Sequence, residues 1–276
     1  MNRTAFMQTP EVAAFVAWAS PLVIGERPLR HDWRSPKFGH WYCETLPDAY
    51  REFEWRFSVV LPDDTQPSRG RTLAENEATL NRLRTLLHQT VEVGDASLFL
   101  KACLAVVAWG GVQLNRKRLL ELGFNALPTL VRNAALLAPD TAELGTLDAV
   151  TDMNSGFSKV YSLLLHDFPI YDSRVACALA SLVVLYCQES GASGVPGALS
   201  FGIPLHRSAE HRYVRGQPRL YAGQPFRYAS ANVRAAWLLA AMVRDLPFAG
   251  LPPERRVFAL QSALFMVGYR RLDGVG

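Results

Sequence analysis

The chain reads as all-α. Apolar residues recur at three- and four-residue intervals through most of its 276 positions. Helix start and stop signals such as Thr9-Pro10-Glu11, Asp95-Ala96-Ser97 and Trp109-Gly110-Gly111 bracket those runs. No alternating pair of strands with a hairpin signal is evident.

In order, Thr9-Pro10 opens a short first helix over about 8–23, with proline at its first position. Residues 24–42 read as a loop in which arginines interleave with aromatics, Trp33 and Trp41 among them. Such a loop either stacks an exposed base or pins itself to the core. Tyr50, Phe53 and Phe57 fall at helical spacing over 47–57 and predict core. The polar stretch 62–72 reads as a loop and marks the boundary between an N-terminal segment, 1–70, and a main domain, 71–276. Leu80, Leu83, Leu86 and Leu87 then give one apolar face to a helix over about 73–90. The almost wholly apolar helix that follows belongs at the centre of a bundle and ends at Trp109-Gly110-Gly111. That turn is either a tight terminus with a packed indole or part of a base pocket. Asn115-Arg116-Lys117-Arg118 opens another helix, and 126–138 and 143–152 read as two more.

Beyond a long helix at about 173–189 lies 203–228, without a clear period and rich in cations, including Arg207, Arg212 and Arg215. Two last helices, near 230–245 and 253–269, close the chain.

Composition narrows the function classes. Hydrophobic residues make up 49% and charged residues 20%, as expected of a globule with a substantial core. The net charge of +4 sits on many arginines and few lysines, which favours forked contacts to phosphate or carboxylate. Cys43, Cys103, Cys177 and Cys187 are too scattered for a zinc site or an iron-sulfur cluster and read as reduced thiols. No metal or cofactor is expected. There is no GxGxxG or GxxxxGK[ST] phosphate loop, no Gly-x-Ser-x-Gly elbow and no HExxH motif. Without an export signal or a membrane-length apolar run, a cytoplasmic location and no membrane partner are expected.

The stretch that carries chemistry runs from Met153 to Val175. Asn154-Ser155-Gly156 forms a small-residue turn and Ser155 or Ser158 can cap a helix beginning near Phe157, with Lys159 in its first turn. Pro169 breaks that helix, and Asp172 stands where an N-cap belongs for the next. Two helix beginnings thus carry an amine and a carboxylate. Spacing alone does not bring them together, and both groups have an ordinary reading as a surface lysine and a plain cap.

Ser155-Gly156-Phe157-Ser158-Lys159, followed by Phe168-Pro169-Ile170-Tyr171-Asp172-Ser173-Arg174-Val175, resembles the helix-hairpin-helix base-excision DNA glycosylases, most of all their bacterial 8-oxoguanine-glycosylase-like branch. The likeness is densest over 153–180 and looser from about 97 to 245. This chain has one glycine in the turn where the family has two.

The resemblance implies an all-α bundle of two lobes with a helix-hairpin-helix-like DNA-binding element and a cleft between the lobes, and duplex DNA with an extruded base as partner. Lys159 takes the place of the Schiff-base lysine and Asp172 that of the catalytic aspartate. Asn154, Ser155, Gly156 and Ser158 would grip the backbone, joined by Arg174, Arg207, Arg212 and Arg215. Trp33, Trp41, Trp109 and Tyr171 would form the base pocket. The expected function is a DNA N-glycosylase, with or without lysyl strand cleavage, acting on oxidised guanine or on a hypermodified phage base in defence. A non-catalytic helix-hairpin-helix DNA-binding protein is the alternative.

Overall fold

In the computed structural model, which describes residues 1–36, 38–204, 212–221 and 223–275, the chain is mostly helical with three short two-stranded ladders. The N-terminal part holds α1 (Arg3–Met7), α2 (Pro10–Ile24), β1 (His31–Ser35), β2 (Gly39–Cys43), α3 (Leu46–Arg51), β3 (Glu54–Val59) and β4 (Ser68–Thr72). Then come α4 (Leu73–Val93), α5 (Ala96–Trp109), α6 (Leu114–Leu122), α7 (Ala126–Leu137), α8 (Phe157–Leu164) and α9 (Ser173–Glu189). The two-residue strands β5 (Ile203–Pro204) and β6 (Arg219–Leu220) precede α10 (Pro225–Val243) and α11 (Pro253–Val267).

The ladders correct the expectation of a chain without strand pairs. β1 and β2 pair antiparallel with Trp33 opposite Trp41, inside what the sequence predicts as a loop. The alternation is visible once sought: His31, Trp33 and Ser35 are buried while Asp32 and Arg34 between them are exposed, a two-residue period. The helix expected over 47–57 stops at Arg51, and Phe57 and Val59 then bury alternate positions of β3. β4, within the expected 62–72 loop, supplies its antiparallel partner. Between 143 and 152 only a 3₁₀ segment, Leu144–Ala149, forms in place of a helix.

The helices follow their local signals. Thr72 caps α4 in a reciprocal box with Glu75, Asp95 caps α5, and Gly94 ends α4 in the left-handed conformation. α9 lies deep in the molecule, with every residue from Arg174 to Val183 buried. α11 packs against α3, α9 and α10, and α8 lies against α4 and α5. Gly268, at the end of α11, comes so close to the Arg174 carbonyl that a Cβ there would overlap the backbone. No helix among the described residues is long and apolar enough to cross a membrane.

Candidate active site

Asp172 is the N-cap of α9. Its Oδ1 accepts from the backbone N–H groups of Arg174, at 2.9 Å, and Val175, at 3.2 Å. That leaves Oδ2, which lies 3.6 Å from Lys159 Nζ. The lysine reaches it from the first turn of α8, and its stem runs across Gly110, where an added Cβ would stand 2.6 Å from Lys159 Cε. Glycine at the end of α5 is therefore what allows the amine through. The ammonium also donates to the Ser155 carbonyl at 3.0 Å. The amine thus has one hydrogen bond and one ion-pair partner, and the pair expected from two helix beginnings is a real neighbourhood.

Burial is the main influence on Lys159 and pushes its pKa below the usual lysine value; the Asp172 carboxylate opposes this, and the Arg174 guanidinium adds to it. For Asp172 burial acts upward, but Lys159, Arg174 and the two capping N–H groups outweigh it and hold the carboxyl below its ordinary range. The carboxylate is therefore charged at neutral pH, and the amine is the member whose proton is loosened.

Both side chains wall a cavity whose other sides are aromatic: Phe53, Trp55, Trp109, Phe258 and Phe265. Its walls are tied by hydrogen bonds. Trp109 Nε1 donates to Asn76 Oδ1 at 2.9 Å, Asn76 Nδ2 donates to Trp55 O at 2.9 Å, and Trp55 Nε1 donates to Trp109 O at 3.0 Å. Gln261 Oε1 accepts from Ile170 N at 3.1 Å on the far side. The hollow measures ≈ 30 Å³, room for one or two waters, so a planar ring the size of a nucleobase enters only if the aromatic walls part.

The other expected site residues are distributed differently. Of the base-pocket set only Trp109 lines the cavity. Trp33 is buried, stacks on Trp41 and Tyr269, and gives its indole N–H to Met266 O. Trp41 donates to Glu52 O, and Tyr171 is fully buried with its hydroxyl donated to Gly202 O at 2.7 Å. These three are core aromatics whose polar atoms are already satisfied, which corrects their assignment to a pocket.

The turn is also corrected. Asn154 Oδ1 accepts from Gly156 N at 2.8 Å and Phe157 N at 3.2 Å. Ser158 N donates to Asn154 O and Lys159 N to Gly156 O. The N–H groups of residues 156–159 are spent inside the turn, and Gly156 and Ser158 are buried. Gly156 is required by close packing, since a Cβ there would lie 2.6 Å from Asn115 Nδ2. Ser155 and Asn154 remain partly exposed.

Arg174 is buried in a ring of aromatics, its guanidinium 4.3 Å from the Phe265 centroid and 4.8 Å from that of Tyr269, and its Nη1 has no hydrogen-bond partner among the described residues. Burial lowers its pKa to about 10. Arg212 donates to Ser173 Oγ at 2.9 Å and to Tyr269 O at 3.1 Å. Both are held inward at the start of α9, whereas Arg215 is exposed. Arg207 lies outside the described residues. No group of three His, Cys, Asp or Glu side chains among the described residues is arranged to hold a metal ion.

Sequence reasoning missed Trp55, Asn76, Phe258, Gln261 and Phe265. Asn76 and Gln261 are buried polar residues on helices, and nothing in their spacing separates them from solvated positions. Compared with known proteins, the chain matches no family model, no curated sequence and no solved structure.

Proposed function

We propose that the protein is a DNA N-glycosylase of helix-hairpin-helix type, in which the turn at 154–158 and the starts of α8 and α9 form the reacting element beside a cleft that receives an extruded nucleotide. The observation that carries this reading is a desolvated lysine amine 3.6 Å from a helix-capping carboxylate, both on the wall of an aromatic cavity. A stacked base hides its sugar C1′ from any protein group, so the nucleotide must leave the duplex first, and parting of Trp55, Phe258 and Phe265 would admit the base between rings.

The chemistry follows from how the amine is held. The amine donates to Ser155 O and lies beside Asp172 Oδ2, and loss of one proton gives it the lone pair that a nucleophile needs. That lone pair forms a bond to C1′ while the C1′–N bond breaks. Its electrons leave with the base, which takes up a proton. Ionised Asp172 stabilises the positive charge that develops on the sugar and then accepts a proton from the alkylated amine. The nitrogen lone pair then forms the C1′=N bond as the C1′–O4′ bond breaks, O4′ takes up the proton held by Asp172, and the ring-opened adduct is a Schiff base. If water attacks instead, Asp172 orients it and the product is an abasic site without strand cleavage.

An abasic duplex presents the same sugar aldehyde whatever base was removed, so it tests the lysine before the natural base is known. Borohydride should trap a covalent complex with such a duplex, and Lys159→Ala should abolish it. Release of modified bases from genomic DNAs without a trapped complex would leave the water-assisted route. DNA affinity without trapping or base release under any condition would reduce the protein to the non-catalytic binding reading, which the small volume of the closed cavity favours.

A further inference from the structure

α10 contributes no side chain to the cavity wall, yet it holds both pieces of chain that carry the reacting pair. The Tyr228 hydroxyl lies 2.5 Å from Ser155 Oγ, and the carbonyl of that same serine receives the Lys159 amine. Burial keeps the phenol's pKa above its usual value, so it stays protonated. One helical turn on, Asn232 Nδ2 donates to the Pro169 carbonyl at 3.0 Å, in the connection that leads from α8 to Asp172. Residues four apart share a helix face, so one stripe of α10 grips the lysine's turn and the aspartate's approach together.

Asn232 is costly where it stands. It is fully buried, and its Oδ1 has no hydrogen-bond partner among the described residues. An apolar residue of similar size would avoid leaving that oxygen unpaired. Its side chain makes one hydrogen bond among the described residues, and that bond goes to Pro169. From α11, Gln261 holds the next residue, Ile170, by its backbone N–H.

We infer that Tyr228 and Asn232 are positioning residues, a two-point clamp on α10 that sets the separation of Lys159 from Asp172. Their catalytic meaning rests on the glycosylase reading. The clamp itself does not, and it can be measured without DNA.

The chain contains only four lysines, Lys37, Lys101, Lys117 and Lys159, so carbon NMR of ε-labelled lysine gives a spectrum simple enough to follow each titration, with Lys159 assigned by Lys159→Arg. The charged groups acting on this amine are Asp172 and Arg174. In the otherwise unaltered protein, Asp172→Asn should move the Lys159 midpoint by about one pH unit or more. In a Tyr228→Phe, Asn232→Leu background the same substitution should move it by less than about half as much. Asn232→Leu removes the unpaired oxygen and keeps the volume, and Tyr228→Phe alone serves if the double variant does not fold.

An Asp172→Asn shift of equal size in both backgrounds overturns the clamp. On abasic duplex, the clamp variants should trap about tenfold more slowly at saturating DNA with unchanged half-saturation. Absence of both trapping and base release in the unsubstituted protein would instead sink the glycosylase reading and leave the titration to decide the clamp.

Discussion

Gly110→Ala separates the chemistry of the site from the stability of the fold. Gly110 sits at the end of α5 with φ −75° and ψ −4°, angles that alanine adopts freely, so the backbone does not oppose the change. The new methyl, however, would lie 2.6 Å from Lys159 Cε. Carbon atoms settle at about 3.5–4.0 Å, so the lysine stem must retreat by about 1 Å. Its amine is fixed at the far end by Ser155 O and Asp172, and a retreat of that size draws it off one of them. A misplacement of about 1 Å can cost about 100-fold in rate. Against this, replacing glycine near a helix end gains up to about 0.5–1 kcal/mol, while crowding costs about 1–3 kcal/mol where the neighbours cannot yield. A flexible lysine yields more readily than a packed core. Gly110→Ala should therefore unfold in urea within about 1–2 kcal/mol of the unsubstituted protein, while single-turnover trapping on abasic duplex falls about 100-fold. A trapping rate within about threefold of the parent, with the stem shown to be displaced, would mean that placement of this amine does not govern the reaction.

Three other outcomes follow from the same geometry. Asp172→Asn keeps an oxygen for the N–H groups of Arg174 and Val175, whereas Asp172→Ala loses the cap, so the alanine variant should be less stable by about 1 kcal/mol in urea titration, although both lack the carboxylate. Because Lys159 and its other partners hold the folded Asp172 carboxyl below its ordinary value of 3.8, the stability that its ionisation contributes is present above that pH and is lost as pH falls through the lower folded value. The difference in unfolding free energy between the parent and Asp172→Asn should accordingly shrink on acidification below 3.8, and a difference independent of pH would contradict the assignment. Gly156→Ala drives a methyl into Asn115, whose Nδ2 donates to Asn154 Oδ1 at 2.8 Å. It should destabilise by about 1–3 kcal/mol in thermal or urea unfolding and lower trapping with it.

How much of this was legible in the sequence depended on whether the signal was local. Asp172 could be placed because an N-cap is written into a few adjacent residues: a proline break, an acid, then an apolar run. The start of α8 near Phe157 was legible for the same reason. That Lys159 and Asp172 meet was not, since it depends on the packing of α8 against α5 and on the absence of a side chain at Gly110. Gly156 stood out as a turn residue, but its φ of −77° is ordinary, and only the approach of Asn115 makes glycine necessary there.

The aromatics misled in both directions. Trp33 and Trp41 looked available beside the cations around them, yet cross-strand pairing turns them into the core. Trp55, which walls the cavity, sat in a stretch whose helical spacing hid a two-residue alternation. Asn232 carries a usable local signal, an amide within the apolar run Ala231-Asn232-Val233.

Phe53 and Trp55 belong to the chain's opening 70 residues, while the amine and the carboxylate belong to a stretch a hundred residues later. The wall of the hollow is thus assembled from distant portions of the polypeptide, with Trp109 of α5 and Phe258 and Phe265 of α11 completing it. Substitutions at Phe53 or Trp55 would therefore reshape the hollow from the far end of the sequence while leaving Lys159 and Asp172 in place.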